Sequence, residues 1–279
     1  MNVKDSFNWE KIKKKDPCWE RYDSLEDAIK GCTDLGKLFD LWQTAQIYET
    51  DVESSFPNLS LAKCPELSPS EEFKHSFCAD GFLAKDGKAG VPVLFICRES
   101  NISSCIKEDH EKRTTEIVGN IGQDKGDEPL FWLREVVRCK EKDRSDYFPG
   151  KNSPGTAEKT AQTKYFNCLS QVLKYLKVDT KLSTCAYLNI NKRGGFASCD
   201  QSKLAIYAER YQLFIQKEIE LIKPEKIVVC GELKSQRLQD TLEEIFRNCK
   251  KYNYWVYPKH PSRYTKDVVP KEVKLSKKE

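Results

Sequence analysis

TCAYLNI (Thr184–Ile190), NKRGG (Asn191–Gly195), KLAIYAERYQLFIQKEIELI (Lys203–Ile222) and KPEKIVVCG (Lys223–Gly231) follow one another in the chain, and together they decide the architecture. The first is short, apolar and rich in strand-favouring residues, as a buried β-strand requires. In the third, Leu204, Tyr207, Ala208, Tyr211, Phe214, Ile215, Ile219 and Ile222 recur at three-to-four spacing. That spacing predicts one long amphipathic helix with a single buried face, stopped by Pro224. KIVVCG (Lys226–Gly231) then reads as a second buried strand, and strand, helix and strand in this order make a parallel crossover unit.

Working outward, the same alternation continues in both directions. VPVLFIC (Val91–Cys97) predicts a strand, and Thr163 to Leu176 predicts the helix that returns from it. Beyond the decisive stretch, Leu238 to Cys249 predicts a helix and NYWVYP (Asn253–Pro258) a last strand. The expectation is an α/β fold: a three-layer α/β/α arrangement around a central four-stranded parallel sheet. Before it, Asp34–Glu49 is the clearest helix, Leu59 to Pro69 is turn-rich, and Ser76–Leu83 predicts a strand or a turn. Residues 1–88 are therefore expected to form a helical N-terminal extension and residues 89–279 the α/β domain. An insertion at about 107–160 interrupts that domain; it is polar and carries one convincing helix, PLFWLREVVRC (Pro129–Cys139). Long connections within compact domains are usually functional or mobile.

Composition excludes several classes. Charged residues make up 32% and hydrophobic residues 39% of the chain, the proportions of a globular protein with a real core. A net charge of +4 gives no charge-only argument for nucleic-acid binding, so any basic surface must come from local clusters. No apolar run approaches the eighteen or so residues of a membrane span. The twelve cysteines include no Cys-x-x-Cys pair, and several sit inside apolar strands, where a thiol acts as a small hydrophobe. With a polar, lysine-rich segment from Asn2 to Lys15 in place of a secretory signal, a reducing cytoplasmic location is expected.

In an open α/β sheet, ligands bind beyond the carboxyl ends of the strands. Three of those ends are chemically loaded. Cys97-Arg98-Glu99-Ser100-Asn101 follows the first predicted strand, Asn189 to Phe196 ends the second, and Lys259-His260-Pro261-Ser262-Arg263-Tyr264 follows the last. A carboxylate, an amide and an imidazole would thus converge on one crevice. Taken singly, each has a plain structural reading: a glutamate after a strand caps, an asparagine at a strand end turns.

Taken in order, these loops resemble the uracil-DNA glycosylase superfamily. YLNINKRGG, a long helix and IELIKPEKIVVCG are similar to the corresponding stretch of its iron–sulfur members, and the likeness covers residues from about 91 to 265. The resemblance implies a role for each matching position. Glu99 would orient water and stabilise the cationic sugar as general base and electrostatic partner. His260 would donate to the carbonyl oxygen of the departing base. Asn189 would read the edge of a flipped-out pyrimidine, with Asn101 beside it and Phe166 stacking on it; Tyr165 and Trp132 are alternatives for the stacking role. Lys192, Arg193, Ser262, Arg263 and Tyr264 would hold DNA, the first two through a basic loop against phosphates.

Departures from the family pattern narrow the expectation. Asn101 replaces either a glycine or a tyrosine that, in the strictest uracil enzymes, blocks the methyl group of thymine at carbon five. Arg193 stands where the iron–sulfur members carry a cluster cysteine, so no cluster, metal or other cofactor is expected. The chain is therefore expected to act as a monomeric DNA glycosylase without an obligate protein partner. Its substrate would be a carbon-five-substituted pyrimidine, such as hydroxymethylated or glucosylated cytosine, in anti-phage defence. Repair of uracil is the alternative. Two rivals use the same sheet edge: a free-nucleotide hydrolase and a non-catalytic nucleic-acid-binding module.

Overall fold

The computed structural model describes residues 7–49, 77, 79–83, 87–101, 156–195, 199–261 and 268–276, with the backbone alone for 99–101, 156–164 and 193–195. Among these residues the fold is mixed α/β, with seven α-helices and one six-stranded, mostly parallel sheet. The strands are β1 (Gly81–Phe82), β2 (Val93–Asn101), β3 (Ala186–Gly195), β4 (Lys226–Cys230), β5 (Asn253–Tyr257) and β6 (Lys271–Lys274). Their order across the sheet is β1-β3-β2-β4-β5-β6. The four strands expected from sequence form the parallel centre, and β1 and β6 add an antiparallel edge on each side. The sheet thus has six strands where four were expected. Both extra strands are short: β1 falls within Ser76–Leu83, where a strand or a turn was expected, and the exposed KEVK of β6 has no apolar alternation to betray it.

The helices are α1 (Trp9–Lys13), α2 (Leu25–Gly31), α3 (Leu35–Ile47), α4 (Thr156–Tyr175), α5 (Gln201–Arg210), α6 (Gln212–Ile222) and α7 (Gln236–Asn248). Side-chain caps set several of their starts. Ser24, Asp34, Asp200 and Ser235 accept from backbone N–H groups in the first turns of α2, α3, α5 and α7, satisfying donors the helix cannot satisfy itself. Lys223 ends α6 in the left-handed conformation at φ 54°, with Pro224 behind it to prevent continuation.

The direction of each crossover decides which face of the sheet its helices cover. From β2 the chain moves one way to β3, and from β3 it moves the other way, past β2, to β4. Right-handed crossovers in opposite directions must lie on opposite faces. Accordingly Val93, Phe95 and Cys97 of β2 pack with Cys168, Leu169 and Val172 of α4. Leu94 and Ile96 point the other way, into a cluster with α5, α6 and α7.

That second cluster also takes in the N-terminal helices. Leu38, Leu41, Trp42 and Ala45 of α3 are completely buried in it. Trp42 stacks on Tyr211 and Phe214, at 5.8 and 5.1 Å between ring centroids. The segment expected as an extension therefore shares the core of the sheet, and Lys217 Nζ of α6 reinforces the join by donating to the Lys30 carbonyl of α2. The helix expected as one piece from Lys203 to Ile222 is two, α5 and α6, meeting at Tyr211. Tyr211 N–H still donates to Tyr207 C=O, and its carbonyl still accepts from Ile215 N–H, so the bend preserves the backbone ladder. It seats a fully buried tyrosine between Tyr207 and the α3 tryptophan.

Candidate functional site

The carboxyl ends of β2, β3, β4 and β5 lie along one edge because the four strands are parallel. The chain reverses its winding direction between β2 and β4, and such a reversal opens a crevice for ligands in this class of sheet. Register brings the candidate residues into line. Cys97 pairs with Asn189, Glu99 with Asn191 and Asn101 with Gly195, with a shift in register between Glu99 and Asn101. Such irregularities end regular pairing where a strand runs into a functional loop.

On the α4 side of this edge the groups form a connected set. Tyr165 of α4 and His260, three residues beyond β5, meet edge to face at 5.3 Å and 85° between ring planes. The Tyr165 hydroxyl lies 3.0 Å from His260 Nε2 and 3.5 Å from Nδ1. Tyr165 packs in one cluster with Tyr187 of β3, Cys97 of β2 and Cys230 of β4. Burial holds both tyrosine hydroxyls well above their ordinary pKa. The bond to Cys97, helped by burial, does the same for the Cys230 thiol, and burial pushes the Cys168 thiol up to about 12. These groups are neutral proton donors at physiological pH. Phe166 packs against the same cluster next to Tyr165, and Asn189 is buried within β3, level with Cys97 and two residues beyond Tyr187; the strand expected to end there runs on to Gly195.

Of the residues expected to act, the structure thus brings His260, Asn189 and Phe166 to one edge and places the backbones of Glu99 and Asn101 there too. Arg193 lies within β3, its backbone continuing the strand that was expected to have become a loop. Ser262, Arg263 and Tyr264 lie outside the described residues, as do Trp132 and the helix expected at Pro129–Cys139.

Lys192 requires a correction. Expected on a surface loop against phosphate, it is completely buried on the opposite face of the sheet. Because β3 continues through Asn191, the alternation that buries Leu188 and Ile190 buries Lys192 as well. Its ammonium pairs with Asp80 Oδ1 and stands 2.9 Å from Glu218 Oε2 of α6, below the rings of Trp42 and Phe39 at 5.2 and 5.4 Å. Asp80 also accepts from the backbone N–H of Asn189 at 2.5 Å, so this buried triad anchors the part of β3 that carries the amide. Burial works against the Lys192 charge, but the two carboxylates outweigh it and its pKa stands above the ordinary lysine value. Glu218 moves upward, through burial first and the neighbouring Asp80 charge second. The network extends outward: Lys192 N–H donates to the Tyr207 hydroxyl, which donates to Gln46 Oε1 of α3 at 2.7 Å.

Sequence reasoning missed this triad and the role of Tyr165. One signal was present for the triad: Glu218 sits on the apolar stripe of its helix, between Ile215, Ile219 and Ile222, where only a paired charge is tolerated. For Tyr165 no local signal exists, since its partner is 95 positions away.

On the other side of the edge, Arg98 donates to the Glu232 carbonyl at 2.8 Å, across the gap between β2 and β4. Gly231 makes that approach possible. Its φ is +107°, and a Cβ there would stand 2.9 Å from the Arg98 guanidinium. Gln201 fixes the same turn by donating to the Glu232 carbonyl and accepting from the N–H groups of Lys234 and Ser235. Among the described residues no group of three His, Cys, Asp or Glu side chains is placed to hold a metal ion, and no helix is long and apolar enough to cross a membrane. No protein-family model matches the chain, and no curated protein or solved structure matches it.

Proposed function

We propose that this protein is a monofunctional DNA glycosylase, which flips a pyrimidine out of DNA and hydrolyses its N-glycosidic bond to leave an abasic site. One observation carries the reading: His260 follows β5 and Asn189 lies in β3 towards the same carboxyl edge of the sheet, with Glu99 one strand away at the register of Asn191. The three-layer α/β/α frame, with α4 on one face and α5 to α7 on the other, supports it by leaving that edge as the natural ligand site.

The chemistry follows from charge. As the glycosidic bond breaks, the sugar becomes cationic and the base anionic. Glu99 stabilises the sugar and takes a proton from the attacking water; His260 donates to the base carbonyl that gains charge; Asn189 pairs with the base edge; Phe166 stacks on its face. The substrate we favour is a carbon-five-substituted pyrimidine such as hydroxymethylated or glucosylated cytosine, which suits a cytoplasmic defence against phage DNA, with uracil as the alternative. Mass spectrometry of bases released from unmodified, uracil-containing and hypermodified phage DNA tests this. Release of a pyrimidine is expected, and silence on all three substrates would reject it.

A second reading gains from one observation. With Lys192 inside the core, the basic loop expected against DNA phosphates loses one of its members. A free-nucleotide hydrolase needs no such loop. Hydrolysis of mononucleosides with no dependence on DNA length would select it.

A further inference from the structure

We propose that Tyr165 is a positioning residue for His260, donating its hydroxyl proton to Nε2 and so holding the neutral imidazole with its own N–H at Nδ1. This rests on the reading of His260 as the group that meets the departing base. The geometry selects Nε2 as the partner, at 3.0 Å against 3.5 Å for Nδ1, and the edge-to-face packing fixes the ring relative to α4.

The direction of donation follows from the two groups themselves. A phenol hydroxyl is a strong donor and a weak acceptor, the hydrogen-free nitrogen of a neutral imidazole is a strong acceptor, and an imidazole N–H is a weaker donor than a phenol. The stronger pairing across the 3.0 Å contact therefore runs from the Tyr165 hydroxyl to Nε2. Burial keeps Tyr165 protonated at neutral pH, so the direction persists through the physiological range. A neutral imidazole locked in one tautomer offers an N–H without first acquiring charge, which suits stabilisation of an anion forming on a base. Tyr165 does not itself meet the base; it decides which nitrogen of His260 does.

The test uses the full chain with ¹⁵N-labelled histidine. Long-range ¹H–¹⁵N spectra at neutral pH report which ring nitrogen bears hydrogen, and His260→Gln identifies the His260 signals among the three histidines. The expected result is hydrogen at Nδ1 in the wild type and a mixture of tautomers in Tyr165→Phe. Hydrogen at Nε2 in the wild type overturns the proposal, and so does an unchanged tautomer in the variant. Should Tyr165→Phe fail to fold, the wild-type spectrum decides alone. In single-turnover assays on uracil-containing and glucosylated DNA, Tyr165→Phe should slow base release by about tenfold to a hundredfold, the range seen for groups that orient a histidine, with DNA affinity unchanged. Absence of base release by the wild type would remove the glycosylase reading and leave the tautomer result standing. The wrong tautomer in an active glycosylase would remove only the role of Tyr165.

Discussion

His260 and Glu99 are expected to act on charge that exists only in the transition state. Replacing either should therefore lower the rate of base release and spare DNA binding. Glu99→Gln and His260→Ala should each cost about 10²- to 10⁴-fold in single-turnover rate, the usual range for a positioned acid or base. Near-wild-type rates in both would move the chemistry elsewhere on the molecule. Lys192 obeys a different logic, because its partners are buried with it. Lys192→Met leaves Asp80 and Glu218 facing one another without a cation and should cost about 3–5 kcal/mol in urea denaturation at neutral pH. Glu218→Gln removes a surplus negative charge and should cost far less. The two groups also give stability a pH dependence of known sign. Glu218 has a folded pKa above its unfolded one, so its contribution is complete below the ordinary glutamate range and falls as pH rises through the folded value. Lys192, also raised, keeps its contribution through neutrality and loses it at strongly alkaline pH. Stability that rises between pH 5 and 8 in the wild type, and stays unchanged in Glu218→Gln, would contradict this account.

At the scale of elements, the turn between β4 and α7 is the most constrained. Gly231 is held at positive φ against Arg98, and Gln201 holds the next residues. Gly231→Ala should destabilise by about 1–3 kcal/mol, through a strained backbone and a displaced guanidinium. A lower urea midpoint at constant slope is the expected signature; an unchanged midpoint would mean that the turn relaxes freely. The elements read correctly from sequence are those whose own periodicity reports their burial: β2, β4 and β5, and helices α3 and α7, whose starts were placed to within two residues. The misread ones depend on neighbours. β3 runs on to Gly195 because β2 continues beside it, pairing Glu99 with Asn191, whereas NKRGG alone carries every mark of a loop. The break at Tyr211 was invisible because both halves of the helix keep the same spacing. It exists to admit Trp42, which lies far away in sequence.

For the whole molecule, the first three helices are part of the core. Removing residues 1–49 would strip Trp42, Leu38 and Leu41 from Tyr211 and Phe214, and Gln46 and Glu49 from buried partners on α5. The truncated chain should lack a cooperative unfolding transition, and a stable, well-dispersed fragment 50–279 would show instead that those helices are an accessory. The insertion at about 107–160 lies outside the described residues and carries the sequence-based expectation about substrate. If its polar side chains meet a sugar on carbon five, its shortening should impair release of glucosylated cytosine more than release of uracil. Equal loss on both substrates would reject that role.

By itself the sequence determined the alternation of strands and helices, the parallel centre of the sheet and the edge where His260, Asn189 and Glu99 lie. Each of these follows from local periodicity joined to the handedness of crossovers, and neither needs knowledge of a distant partner. Only the tertiary structure decided that Lys192 is a core residue, that Tyr165 holds His260, that two edge strands complete the sheet and that α3 belongs to its core. Those outcomes depend on pairs such as Asp80 with Lys192 and Tyr165 with His260, separated by 112 and 95 positions. A charge becomes a core residue, or a hydroxyl an orienting donor, only when folding brings a partner close enough to offset the cost of leaving water.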